Sequence, residues 1–220
     1  MKRIYSLLIA ALFFSSLSGC SWFNPPHEME KSAETLASEG SAAFMDEDYH
    51  QAIESFTTLK DWYPFSRYAI LAELKIADAH YEREEYAEAI FAYREFEKLH
   101  PRNEAIPYVI YRRGMCWYNR IDTVDRDQKS AKKSMAQFNR LKEQYPESSY
   151  AQKAEDKTEK CIASLAGHEL YVANFYLKKE EYRAALKRFE YLFAHYPETK
   201  EGEQALKHIP QCKKKIEKKQ

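Results

Sequence analysis

The chain has 220 residues, 45% of them hydrophobic and 31% charged, which permits a packed core and excludes wholesale disorder. Its 34 Lys and Arg balance 34 Asp and Glu, against the basic excess of a nucleic-acid-binding surface. Only five Gly occur, too scattered for a phosphate-binding loop or a dinucleotide fingerprint, and the abundance of Ala, Glu, Lys and Tyr points to an all-α protein.

Residues 1–19 read as a leader. Lys2 and Arg3 are followed by an uncharged apolar stretch from Ile4 to about Leu17, short of the roughly 20 residues a membrane-spanning helix needs. The stretch ends in Leu17-Ser18-Gly19-Cys20, the lipoprotein signal-peptidase pattern, in which small residues enter a narrow protease site and the Cys20 thiol accepts acyl chains such as palmitate. An ordinary secretory leader with a chance cysteine is the plainer alternative. Two or more acyl chains anchor stably. Ser21 rather than Asp follows Cys20, so the expected place is the outer membrane of a Gram-negative cell, lipid-anchored on the periplasmic face. Residues 20–30, containing Pro25-Pro26, read as a lipidated, extended tether.

From residue 31 to 212 one pattern recurs four times: a small residue, an aromatic four on, a large apolar residue seven on, and Pro twelve on. The sets are Ala52-Phe56-Leu59-Pro64, Ala89-Tyr93-Phe96-Pro101, Ser134-Phe138-Leu141-Pro146 and Ala185-Phe189-Leu192-Pro197. The +4 and +7 spacings place these side chains on one helix face, and Pro takes the residue before it out of the helix. Twelve residues before three of the small residues stand Gly40, Ala77 and Ala173, where a first helix meets the second. This is the arithmetic of a tetratricopeptide-repeat solenoid, whose units stack because none buries its apolar face alone.

In chain order, Asp48 with Gln51 reads as a helix N-cap in the first unit. In the third, a first helix over about Glu104 to Asn119, with Gly114 at the small position, precedes a polar loop from Arg120 to Gln128. In the fourth, the stretch from about Ser148 to Lys179 is one long helix or two broken near Gly167. A last helix starts near Thr199 and is kinked or ended by Pro210, leaving residues 213–220 as a basic C-terminal tail. About five hairpins fit, the last one incomplete.

Catalytic chemistry is not evident. No His-Glu-x-x-His or Gly-x-Ser-x-Gly occurs, the seven His are scattered, and His80 with Glu84 reads as a surface pair. The expectation is a non-enzyme without cofactor or metal. Cys116, Cys161 and Cys212 show no metal or Cys-x-x-Cys spacing; they form at most one disulfide, or serve as small buried hydrophobes. The outward stripe of the first helices in units one and two, Ser41, Phe44, Asp78 and Tyr81, is the expected peptide groove.

Several segments beyond the repeat resemble the BamD family of β-barrel-assembly lipoproteins: Asn24-Pro25-Pro26 after the cysteine, Tyr63-Pro64-Phe65, Tyr108-Val109-Ile110-Tyr111-Arg112-Arg113-Gly114, Val124-Asp125-Arg126-Asp127-Gln128 and Tyr145-Pro146-Glu147-Ser148-Ser149-Tyr150. The chain departs from the family in lacking Pro after the Asp-Arg-Asp triplet and in ending early. The resemblance implies a scaffold that docks onto the POTRA domains of a BamA-like barrel protein, joins other Bam lipoproteins and helps recognise the C-terminal signals of unfolded outer-membrane proteins. It implies that Lys179, flanked by Lys178 and Arg183, lies in the partner interface. The competing reading is another periplasmic repeat adaptor, for peptidoglycan synthesis, pilus assembly or competence.

Overall fold

The computed structural model describes residues 31–218; the leader, Cys20 and the tether lie outside the described residues. Those residues form helices α1 (Ala33–Met45), α2 (Tyr49–Trp62), α3 (Ala69–Glu82), α4 (Tyr86–Leu99), α5 (Ile106–Tyr118), α6 (Lys129–Gln144), α7 (Ser149–Lys178), α8 (Tyr182–His195) and α9 (Lys200–Lys218), with no strand among them. Successive helices pack as antiparallel neighbours: four complete hairpins, α1–α2 to α7–α8, and α9 closing the stack. The protein is an all-α tetratricopeptide-repeat solenoid.

Each hairpin is held by an aromatic ring laid on a small residue. Phe56, Tyr93, Phe138 and Phe189 are almost wholly buried, as are the small residues Ala52, Ala89, Ser134 and Ala185 one turn earlier. A Cβ on Gly40 would lie 2.9 Å from Cε1 of Phe56, and one on Gly114 only 2.3 Å from Cε1 of Phe138. Where Ser replaces Ala, its buried hydroxyl donates to the Gly114 carbonyl at 3.0 Å, so the polar group is satisfied within the contact.

The turns between hairpins repeat as closely. Tyr63, His100, Tyr145 and Tyr196 cap the second helices with φ between −139° and −125° and ψ near 50°. Each precedes Pro, and its carbonyl accepts from the amide three residues on. That third residue is Ser66, Asn103, Ser148 or Thr199, whose side-chain oxygen accepts an amide at the start of the next helix.

The turns inside hairpins use a different device. Glu47, Glu84 and Glu180 have φ of 61°, 59° and 58°. Around each, two amides reach back into the preceding helix: Glu84 to the Tyr81 carbonyl at 3.0 Å and Glu85 to that of His80 at 2.9 Å, for example. This is the Schellman closure, built with Glu where Gly is usual. The third hairpin instead has a longer loop, folded onto α7. Gln128, 5% exposed, donates to the carbonyls of Thr123 and Arg126 and accepts from Ser164 at 2.8 Å. Val124 sits over Gly167, where an added Cβ would meet its Cγ1 at 2.9 Å. Gly167 therefore admits the loop rather than breaking the helix, and α7 is one helix of 30 residues.

The C-terminal expectation needs correction. Residues 213–218 are not a tail: α9 continues through Pro210 to Lys218. The solenoid therefore extends past residue 212. Burial explains it, since Ala205 and Cys212 are wholly buried with Phe189 and Leu192, and Ile209 packs beside them. Lys213 Nζ meets Glu190 at 3.3 Å. Pro210 is exposed, so the amide hydrogen bond it removes is lost on the solvent side. Cys116, Cys161 and Cys212 are free and buried.

Two substitutions test these contacts by denaturant unfolding. Glu84→Gly should raise stability by about 0.5–1 kcal/mol, because a left-handed backbone costs an L residue roughly 1–2 kcal/mol. Gly114→Ala should lower it by about 1–3 kcal/mol through overpacking against Phe138.

Candidate functional site

The first helices α1, α3 and α5 bring most of the expected groove residues into one polar and aromatic chain. Phe44, at the end of α1, meets Tyr49 edge-on at 5.3 Å, and Lys75 Nζ lies 4.5 Å from its ring centroid. Lys75 is also 3.5 Å from Asp78. Asp78 Oδ1 accepts from the hydroxyls of Tyr93 at 2.6 Å and Tyr108 at 2.7 Å. Arg112 on α5 donates to the Tyr93 hydroxyl at 3.1 Å and to Glu82 at 2.6 Å, and its guanidinium lies 3.6 Å from the Tyr81 ring centroid. Asn119 donates to the Tyr81 and Tyr86 hydroxyls, both at 3.1 Å.

This geometry corrects the expectation for Asp78. At 5% exposure its carboxylate is taken up by two phenols and a lysine, so it lies beneath the surface as an anchor, not in an open groove. Ser41 donates to the Ala37 carbonyl one turn back at 2.7 Å. Phe44 and Tyr81 are half-buried and keep part of their rings at the surface.

The electrostatics keep the two phenols protonated and the guanidinium charged. Burial and the Asp78 charge push the Tyr93 and Tyr108 phenols well up, so both stay donors. Burial works against the Arg112 charge, but the adjacent phenols and Glu82 outweigh it and raise its pKa. Burial also pushes the Cys116 thiol, near the same helix face, up to about 12, which leaves it an inert thiol rather than a nucleophile.

Spacing alone missed Lys75, Tyr93, Tyr108 and Arg112 as network members. Tyr108 and Arg112, at i and i+4 on one helix, were the available signal.

A second surface lies at the turn joining α7 to α8. Lys178 ends α7, Lys179 caps it, and Arg183 stands in the first turn of α8; all three are exposed. Further back along α7, Tyr171 and Phe175 are half exposed. Their spacing of four, with Lys178 three beyond, puts two aromatic rings and a cation on one helix face. Among the described residues no group of His, Cys, Asp and Glu is placed to hold a metal, and no helix is long and apolar enough to cross a membrane.

A family model described as outer membrane lipoprotein, YfiO, matches residues 29–220. The chain is 30% identical over 199 residues to the outer membrane protein assembly factor BamD of Neisseria gonorrhoeae, covering 86% of this chain and 74% of that protein. It is also 30% identical over 212 residues to the factor of the same name from Vibrio cholerae serotype O1, covering 92% and 88% respectively. Among solved structures, the Arabidopsis OM64 TPR domain aligns with a TM-score of 0.47 at 17% identity, over 60% of this chain and 97% of that one.

Removing the Asp78 carboxylate leaves the phenols of Tyr93 and Tyr108 without their acceptor. Asp78→Ala should therefore cost about 1–3 kcal/mol in thermal or denaturant unfolding, and the double variant Asp78→Ala/Tyr93→Phe should cost less than the sum of its parts.

Proposed function

The chain belongs to the YfiO family of outer membrane lipoproteins, and on that premise we propose that it is an assembly factor that scaffolds the insertion of outer-membrane β-barrel proteins. The observation that carries this reading is the extent of the family match, which runs through every hairpin from residue 29 to 220. The protein works by binding rather than turnover. It is held to the periplasmic face of the outer membrane by acyl chains on Cys20, with residues 20–30 as the tether and no nucleic acid among its partners.

The C-terminal hairpins form the docking side. Lys178, Lys179 and Arg183, with Tyr171 and Phe175 on the same helix, engage the POTRA domains of a BamA-like barrel protein, beside other Bam lipoproteins. Aromatic rings flanked by cations are the composition that concentrates binding energy in an interface. The N-terminal hairpins hold the C-terminal signal of the unfolded substrate. Phe44 and Tyr81 offer ring surface to its alternating apolar side chains, and Lys75 and Arg112 surround them with positive charge.

Two measurements separate these roles. Tagged full-length chain, extracted from its own outer membrane in mild detergent, should carry a POTRA-bearing barrel protein, and Lys179→Glu should reduce its yield at least tenfold with an unchanged melting curve. Cell-wall enzymes or pilus components in place of the barrel protein would identify a different adaptor. Phe44→Glu should weaken binding of a peptide that ends in an aromatic residue with a free carboxylate about tenfold, while Lys179→Glu leaves that affinity alone. Unchanged affinity of the folded Phe44→Glu protein would remove α1 from the groove.

A further inference from the structure

Away from the first-helix face, α3 floors and α4 walls an open apolar groove of about 660 Å³, with Lys60 of α2 on its other side. Ile76 and Phe96 line it, and Phe91 and Leu99, 58% and 60% exposed, stand along its edge. Contiguous apolar surface of this kind marks a binding site. The network around Asp78 and the cationic turn at Lys179 both leave it unused.

The next repeat carries its own filling at the corresponding place. Glu97 follows Phe96 on α4, Arg113 precedes Gly114 on α5 and Arg140 precedes Leu141 on α6. Both arginines pair with Glu97, so ion pairs join the three helices there. The same three positions one repeat earlier hold Lys60 after Leu59, Ile76 before Ala77 and Glu95 before Phe96. Ile76 carries no charge, so Glu95 receives no cation from the groove floor. Its ion-pair neighbours are Arg94 at 3.5 Å and Lys98 at 3.9 Å, both exposed on α4 itself, and such surface pairs hold weakly.

The charge along the groove defines its guest. Glu73, Glu88 and Glu95 line it against Lys60, so it favours a cation. At its ends Glu73 pairs with His100 and His80 with Glu85, both at 2.7 Å, so Glu88 and Glu95 are the carboxylates along the α4 wall. On that helix the lining residues Glu88, Phe91, Ala92, Glu95 and Leu99 fall at i, i+3, i+4, i+7 and i+11, which is one face. The two carboxylates are therefore about 10 Å apart along the axis, with apolar surface between them. A second helix with basic residues seven apart matches that spacing. An extended strand, whose same-face side chains recur every ~7 Å, does not. From Ala87 to Leu99 the groove runs about 18 Å, or roughly three turns of a guest helix.

We propose that the groove on α3 and α4 receives a basic amphipathic helix of a partner protein, with the guest's apolar side chains on Ile76, Phe91 and Leu99 and its Lys or Arg on Glu88 and Glu95. The guest supplies the cations that Arg113 and Arg140 supply to Glu97 one repeat on. This is a third surface, separate from the first-helix groove and from the turn at Lys179, and it stands apart from the assembly role.

Fluorescence anisotropy tests it, with the full-length chain in phosphatidylcholine nanodiscs and empty discs as the blank. The probe is a labelled, stapled helical peptide of about four turns, with two Arg seven apart and Leu three and four after the first. It should bind, and the same peptide with both Arg changed to Glu should bind at least tenfold more weakly. Glu88→Lys/Glu95→Lys should reverse that preference. Ile76→Arg, which gives this groove the floor cation of the next, and Phe91→Ser, on the exposed edge, should each weaken the Arg peptide at least tenfold, with melting curves showing that each variant is folded. Equal affinity for the two peptides, or affinity indifferent to the changes at Glu88, Glu95 and Phe91, would overturn the proposal. So would tighter binding of an unstapled peptide broken by Pro, or a dimer of the peptide-free protein that Phe91→Ser abolishes, which assigns the groove to a second copy. The assay needs no barrel protein, so its failure is distinguishable from failure of the assembly reading.

Discussion

The packing of one aromatic ring onto one residue without a large side chain governs this molecule. In each hairpin the second helix approaches the first only as closely as Gly40, Ala77, Gly114 or Ala173 permits. The ring four residues beyond Ala52, Ala89, Ser134 or Ala185 fills the space so defined. Interiors packed at crystal-like density cannot absorb an extra carbon cheaply. The same contact therefore sets helix spacing, buries the largest side chains and leaves the first-helix face to other chemistry.

That face is tied across units by polar groups rather than by more apolar burial. Asp78 on α3 gathers a phenol from α4 and another from α5, and Arg112 returns from α5 to Glu82 on α3. On another side of the same helices, Glu97 on α4 pairs with Arg113 on α5 and Arg140 on α6. Burial alone would raise the Glu97 pKa, but the two guanidinium groups outweigh it and lower it, so the carboxylate stays ionised. Each tie is specific to the pair of units it joins, unlike the ring-on-small-residue contact common to all.

This division explains what was legible in the sequence. The repeating part was readable, since period and spacing fix Phe56, Tyr93, Phe138 and Phe189, the prolines and the hairpin count. The Asp48 cap on Gln51 was readable too, because local chemistry decides it. The role of Gly167 was not, because its reason is Val124, more than forty residues earlier, arriving through space. The burial of Asp78 was equally hidden: a helix-face count assigns direction but does not see two tyrosines from neighbouring helices closing over a carboxylate. The helix past Pro210 was missed because proline was weighed as a breaker, while the burial of Cys212 of α9 against α8 outweighed one lost hydrogen bond.

The continuity of α7 carries a mechanical implication. Its first half, with Ala154 and Cys161, belongs to the core shared with α4, α5 and α6; its second half, with Ala166 and Ala173, belongs to the core of α8 and α9. A single unbroken rod about 45 Å long thus runs from the middle of the molecule to its C-terminal turn. A tilt of about 5° imposed at the Lys178 end displaces the far end by about 4 Å over that length. Because α7 packs on α5 and α6 with its first half and on α8 and α9 with its second, a displacement at the cationic turn bears as leverage on the central hairpin.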